Sequence, residues 1–89
     1  THYFAHAGIN PATSLAQQKP QDLLWIRDEF LASSRRFEKI IVHGHTPTPK
    51  FEPHLSARRI NVDTGACYGG PLTAVVLTPN ENPRFLRAR

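Results

Sequence analysis

The apolar residues of this chain gather in short continuous runs separated by polar, proline-rich and glycine-rich stretches. Thr1 to Ala5 (THYFA) is a β-prone run that reads as a first strand. Gly8 to Pro20 carries Gly8, Asn10, Pro11, Thr13, Ser14 and Pro20, residues whose φ preferences and local hydrogen bonds make turns, so a surface loop is predicted. From Gln21 to about Ser34 the pattern fits one helix. Pro20 stands near its first turn, Asp22, Asp28 and Glu29 are acidic in its first part, and Arg35 and Arg36 complement the negative end of its dipole. Lys39 to His43 (KIIVH) is a continuous β-branched run, predicted to be an interior strand and stopped by Gly44, Pro47 and Pro49. Thr46 to Ser56 shows no apolar periodicity and reads as a long surface loop. Arg58 to Asp63 (RRINVD) and Leu72 to Leu77 (LTAVVL) predict two more strands, joined by a turn through Gly65, Gly69, Gly70 and Pro71. An edge strand around Phe85 is weakened by Pro79 and Pro83. The expected fold is therefore α/β (α+β), with about four strands and one main helix.

Composition narrows the class. With 89 residues, 39% of them hydrophobic, residues 1–89 form one small domain or part of one. Eleven Lys and Arg against seven Asp and Glu leave a formal charge of +4, compatible with anionic partners but short of a nucleic-acid-coating run. No stretch approaches the ~18 apolar residues of a membrane span, and the first residues lack the basic-then-apolar order of a signal peptide. Cys67 is the only cysteine, so no internal disulfide can form, and a cytoplasmic location is expected. The unusual feature is five histidines, two of them in His43-Gly44-His45.

That pair lies where a predicted interior strand ends in a loop, the place where α/β folds put ligand-binding groups. Neutral imidazole is the commonest metal-binding side chain, and a neighbouring glycine lets backbone approach an ion or phosphate closely. If the strand continued, His43 and His45 would share a face. His6-Ala7-Gly8 repeats the arrangement, and if the two strands are sheet neighbours their ends are within reach of one ion. Asp63, His54 and Glu52 are weaker candidates, and His2 and His54 are expected to be solvated. Each of these histidines has the alternative of a hydrogen-bonded structural role. At about 100° per residue, Arg27 falls inside the apolar arc of Leu23, Leu24, Ile26, Phe30 and Leu31, so it is expected on a buried face. There it needs an anion, either an internal carboxylate (Asp22, Asp28 or Asp63) or an anionic substrate. Asp63-Thr64-Gly65-Ala66 reads as an architectural strand-end turn, with Cys67 and Tyr68 as residues that could line a pocket. Cys67 has no base at a diagnostic spacing and is rejected as a nucleophile.

Taken in order, FAHAGIN, DLLWIRDEFL, IIVHGHTP and INVDTGACYGGPLTAVVL resemble the C-terminal half of bacterial phosphoprotein-phosphatase-type, calcineurin-like metallophosphoesterases, which include lambda phosphatase. The resemblance runs from Phe4 to Leu77. It implies a β-sandwich flanked by helices, with a dinuclear centre of Mn, Fe or Zn that hydrolyses phosphate esters through a metal-bridged hydroxide. It also implies that His6 and His45 are ligands of one metal, that Arg27 clamps the substrate phosphate, and that Tyr68 edges the pocket. His43, Asp63, Thr64 and Gly65 take supporting roles. The family's remaining ligands sit in upstream Gly-Asp-x-His, Gly-Asp-x-x-Asp-Arg-Gly and Gly-Asn-His-Glu motifs, and this sequence contains no Gly-Asp or Gly-Asn pair. The chain is accordingly expected to be the C-terminal portion of one catalytic domain, inactive without the N-terminal half as partner. The activity so implied is that of a serine/threonine protein phosphatase acting on a phosphorylated protein or other phosphoester. Alternatives are a diadenosine tetraphosphatase-like hydrolase and a non-catalytic, partner-binding remnant. Nucleic-acid binding is disfavoured, since Arg35, Arg36, Arg58 and Arg59 have no aromatic platform among them.

Overall fold

In the computed structural model, which describes residues 1–89, the run Ile40-Ile41-Val42-His43 forms the interior strand that its β-branched composition predicts. This strand, β2 (Ile40–His43), lies between two parallel neighbours, β1 (His2–Phe4) and β4 (Arg59–Asn61). β1 sets Tyr3 opposite Ile41 and Phe4 opposite Val42, while β4 sets Ile60 opposite Val42 and Asn61 opposite His43. Because side chains alternate across a strand, Tyr3, Ile41 and His43 share one face. That face meets the core, in which Ala7, Ile9, Ile26, Phe30 and Ile41 are buried and Tyr3, Leu15, Leu23, Leu31 and Phe37 pack around them.

The segment predicted as a featureless loop, Thr46 to Ser56, holds a 3-10 turn (Pro49–Phe51) and a two-residue strand, β3 (His54–Leu55), which pairs antiparallel with β4. His54 is consequently half-buried rather than solvated. The edge strand suspected around Phe85 forms as β6 (Arg84–Ala88), antiparallel to β5 (Leu72–Val76), as a separate two-stranded sheet. Six strands therefore form in place of about four. The mixed α/β order and two-sheet arrangement are compatible with part of a calcineurin-like fold. No helix is long and apolar enough to cross a membrane.

The predicted helix from Gln21 to Ser34 is corrected. Two short helices form instead, α1 (Pro20–Trp25) and α2 (Asp28–Leu31), interrupted where Ile26 is extended (φ −63°, ψ 145°) and Arg27 adopts φ −131°, ψ −103°. The reason is tertiary. A continuous helix would have the Arg27 amide donate to the Leu23 carbonyl; here that carbonyl accepts from the Ala7 amide at 2.8 Å, tying the His6 segment to α1. Ile26 remains buried while Arg27 is exposed, so the buried-face placement of Arg27 is also corrected.

Phe30 is the largest fully buried side chain, and the sequence around it is arranged to admit its ring. Gly8 sits at φ +145°, where a Cβ would lie 2.3 Å from Phe30 Cδ2. His43 meets the ring edge-to-face at 4.9 Å, and the Arg58 guanidinium lies over it at 4.6 Å from the centroid. Arg58 also donates from Nε to the Arg35 carbonyl at 2.9 Å and from Nη2 to the Phe30 carbonyl, closing the end of α2 against β4.

Candidate active site

The three parallel strands end on the same side, so the residues following them are brought together: His6 after β1, Gly44 and His45 after β2, Asp63 after β4. Backbone hydrogen bonds hold these loops to one another. The Gly44 amide donates to the His6 carbonyl at 2.8 Å, and the Thr48 amide donates to the Asp63 carbonyl at 2.9 Å. The Asn61 side-chain amide donates to the Thr46 carbonyl at 3.0 Å, while its Oδ1 accepts from the Asp63 amide at 2.9 Å. A Cβ at Gly44 would stand 3.6 Å from Asp63 Cβ and 3.8 Å from the His6 carbonyl, which shows how closely the three strand ends converge.

His45 does not continue the strand. Its φ is +68°, and the Thr46 amide reaches back to the Gly44 carbonyl at 2.8 Å, making a tight three-residue turn centred on a non-glycine residue. Such a conformation is costly, on the order of 1–3 kcal/mol, and persists only when the surroundings over-determine it. The turn brings the ring beside His6, with ring centroids 4.9 Å apart, while the His43 ring packs on Phe30 in the core. His43 and His45 thus do not share a face. His45 Nε2, Thr46 Oγ1 and Thr48 Oγ1 are buried and lack hydrogen-bond partners, all on one short loop. Orphaned buried polar atoms are expensive and point to a partner supplied from outside.

Two further residues complete the surroundings of His45. Trp25 stands T-shaped to it, with centroids 5.7 Å apart. Loss of solvent, followed by the charges of Arg27 and then His6, holds the His45 pKa below the ordinary imidazole value against an opposing pull from Asp63. An imidazole kept neutral in this way is the form that ligates metals. Asp63 Oδ1 accepts from the Gly65 amide at 3.1 Å in a local turn. Thr64 is buried, its Oγ1 at 2.6 Å from both the Pro71 carbonyl and Thr73 Oγ1, anchoring that turn to β5. Gly65 is required there, since at φ +75° a Cβ would meet Phe51 Cε1 at 2.3 Å.

The donor set suits a divalent ion in part. Two close imidazoles, one with an unpartnered buried nitrogen, are donors of the kind that Fe or Zn accepts, whereas Mn needs oxygen donors besides. No group of three or more His, Cys, Asp or Glu side chains converges, so a full coordination sphere needs donors beyond these. Tyr68 lies on the 3-10 turn Ala66–Tyr68 and is 70% exposed, and it does not line the shallow depression formed by His6, His43 and Gly44 with Phe4, Ala5, Val42 and Val62, which His45 does not line either. Glu52 and Cys67 are exposed, whereas His2, expected to be solvated, is half-buried because it opens β1 opposite Ile40, with its ring near Thr1 and Phe4. Trp25 is the neighbour of His45 that sequence reasoning missed. The signal available was Trp25 two residues before Arg27, but a continuous helix would have set the two about 200° apart.

His43 is a buttress. Arg59 Nη1 lies 3.1 Å from His43 Nε2 and, as a guanidinium can only donate, Nε2 must be the acceptor; Nδ1–H then faces the Gly44 carbonyl at 3.4 Å. Burial, followed by the Arg59 charge, lowers its pKa to about 4. The folded state therefore binds fewer protons than the unfolded chain between pH 4 and pH 6.5. Stability from this residue is complete above pH 6.5 and is lost as pH falls through that window, by roughly 3 kcal/mol. His43→Gln, which keeps an acceptor for Arg59, is expected to flatten the stability profile between pH 6.5 and 4 in urea titrations. An unchanged slope would contradict the assignment.

Curated proteins are similar to part of the chain. Over 44 residues the chain is 46% identical to a bis(5'-nucleosyl)-tetraphosphatase PrpE (asymmetrical) of Geobacillus thermodenitrificans, covering 49% of this chain and 17% of that protein. The PrpE of Anoxybacillus flavithermus is 43% identical over 44 residues, and that of a Geobacillus strain 53% identical over 34 residues, covering 38% of this chain and 13% of that protein. The matched stretch thus spans less than a fifth of the length of these curated relatives. No family profile and no solved structure matches the chain.

Proposed function

We propose that this chain contributes part of the active site of a metal-dependent hydrolase of dinucleoside polyphosphates, within a calcineurin-like metallophosphoesterase domain. The observation that carries this reading is the His6–His45 pair, with His45 Nε2 buried and unpartnered beside Arg27. The relatives named as bis(5'-nucleosyl)-tetraphosphatases support this substrate class. The serine/threonine phosphatase reading has the resemblance alone and is the weaker of the two.

His6 and His45 would each hold the ion through a neutral ring nitrogen, and the remaining donors would come from another segment of the same domain. When bound, a divalent metal pair supplies a hydroxide nucleophile and neutralises phosphate charge. The turn at His45 fixes its ring before any ion arrives, Asp63 biases that ring electrostatically, and the exposed Arg27 is free to meet phosphate oxygens. Arg27 adds a fixed positive charge whose planar fork matches two oxygens of one phosphate, orienting it and favouring the charge that builds during displacement.

The deciding experiment expresses the complete protein carrying these residues and compares hydrolysis of diadenosine tetraphosphate with that of a phosphoserine peptide, with and without Mn²⁺. ATP and AMP as products, with the peptide cleaved far more slowly, are expected; the reverse preference would refute the substrate class. Arg27→Ala should lower kcat/KM about 30- to 1000-fold, as loss of a charge-assisted bidentate contact does, with normal metal content. An exposed side chain should leave the thermal midpoint nearly unchanged. A lower midpoint with unchanged specific activity would instead reveal an internal ion pair.

A further inference from the structure

We infer that Trp25 is a stacking platform for a nucleobase of the substrate, and that it makes the site prefer nucleotide-bearing polyphosphates over bare ones; this rests on the hydrolase reading above. Trp25 is 67% exposed and neighbours Leu24, itself 48% exposed, so an apolar rim borders a site otherwise lined by imidazoles, a carboxylate and a guanidinium. A large aromatic left in water has a rigid π-face to offer, and every base has a π-face to stack on it.

The break between α1 and α2 is what makes the arrangement. In an uninterrupted helix Trp25 and Arg27 would point to nearly opposite sides. Here Ile26 is extended and turns into the core at 6% exposure, and the residues flanking it are both exposed. Trp25 stands 5.7 Å from the His45 ring, centroid to centroid, and the exposed Arg27 follows it by two residues across the break. A phosphate at His45 and Arg27 would therefore carry its nucleoside within reach of the indole. A nucleoside polyphosphate has that pairing of a flat apolar group with adjacent anionic charge, and inorganic polyphosphate has only the charge. T-shaped packing of indole on imidazole also holds Trp25 in place before the base arrives, which reduces the ordering cost of binding.

The test compares the complete wild-type protein with Trp25→Ala and Trp25→Phe, on diadenosine tetraphosphate and on inorganic tripolyphosphate. The readout is the ratio of kcat/KM for the two, which cancels any disturbance of His45 common to both substrates. Trp25→Ala is expected to lower the ratio about 10- to 100-fold, mainly through KM for the nucleotide, and Trp25→Phe to restore most of it. A second readout needs no turnover: in chelator, diadenosine tetraphosphate should quench the indole fluorescence that Trp25→Phe removes, and tripolyphosphate should not. An unchanged ratio in a wild-type enzyme that does cleave diadenosine tetraphosphate would overturn the platform alone, leaving Trp25 as a buttress of His45. A wild-type protein that cleaves only phosphopeptide would overturn the substrate class and the platform with it.

Discussion

Replacing His45 by alanine in the complete protein is expected to remove divalent metal and hydrolysis together. Outer residues that merely orient a ligand cost about 10- to 100-fold in metal affinity when mutated, so removal of a direct ligand should cost more than about 100-fold. The informative companion is His45→Gly. At φ +68° the histidine backbone is strained, and glycine adopts that conformation freely, so relief of about 1–2 kcal/mol should raise the thermal midpoint above that of His45→Ala. A variant that folds more stably yet holds no metal would separate the functional demand on the position from the structural one. Retained metal and activity in His45→Gly would refute the ligand role, and no difference in midpoint between the two variants would refute the strain. Rings 4.9 Å apart make His6→Ala the parallel case without the backbone effect, since His6 lies outside the left-handed region.

The second large effect concerns Gly8 and Phe30. Phe30→Ala deletes the largest fully buried ring and is expected to cost about 3–5 kcal/mol. Gly8→Ala places a Cβ 2.3 Å from Phe30 Cδ2 at φ +145°, and should destabilise by on the order of 3 kcal/mol. The two changes should be strongly non-additive, because removing the ring removes the clash, leaving only the backbone penalty at residue 8. Additive costs in the double variant, measured by urea unfolding, would show that Gly8 is needed for its φ alone. The consequence reaches the site, since Gly8 follows His6 by two residues and the Ala7 amide between them bonds to α1.

Much of this architecture was legible in the chain. Ile40-Ile41-Val42 could only be an interior strand once Gly44, Pro47 and Pro49 stopped it, and glycines after His6 and His43 marked two strand ends. Because β1 and β2 are parallel neighbours, the two strand-end histidines arrive at one place, as their matching positions suggested. The short strand β3 was not legible, because two residues between prolines carry no period and form a strand only by pairing with β4.

The helix is where local pattern and tertiary structure part. Residues 21 to 34 have helical periodicity and charge order, with Pro20 in the first turn, so nothing local marks a break at Ile26. The interruption depends on the Ala7 amide taking the Leu23 carbonyl, a contact between segments sixteen positions apart that no local window contains. Its effect is to bury Ile26 while exposing Trp25 and Arg27 beside His45. The left-handed turn at His45 was hidden for a related reason: histidine prefers φ below zero, and only the loop's ties to Gly44, Asn61 and Asp63 hold it at +68°. The sequence by itself determined which of the longer strands form and which chemical groups stand at their ends, because strand propensity and chain-stopping residues act locally, whereas the two-residue β3 needs β4 beside it. The tertiary structure alone decided where those groups point, because that rests on hydrogen bonds between segments far apart in the chain.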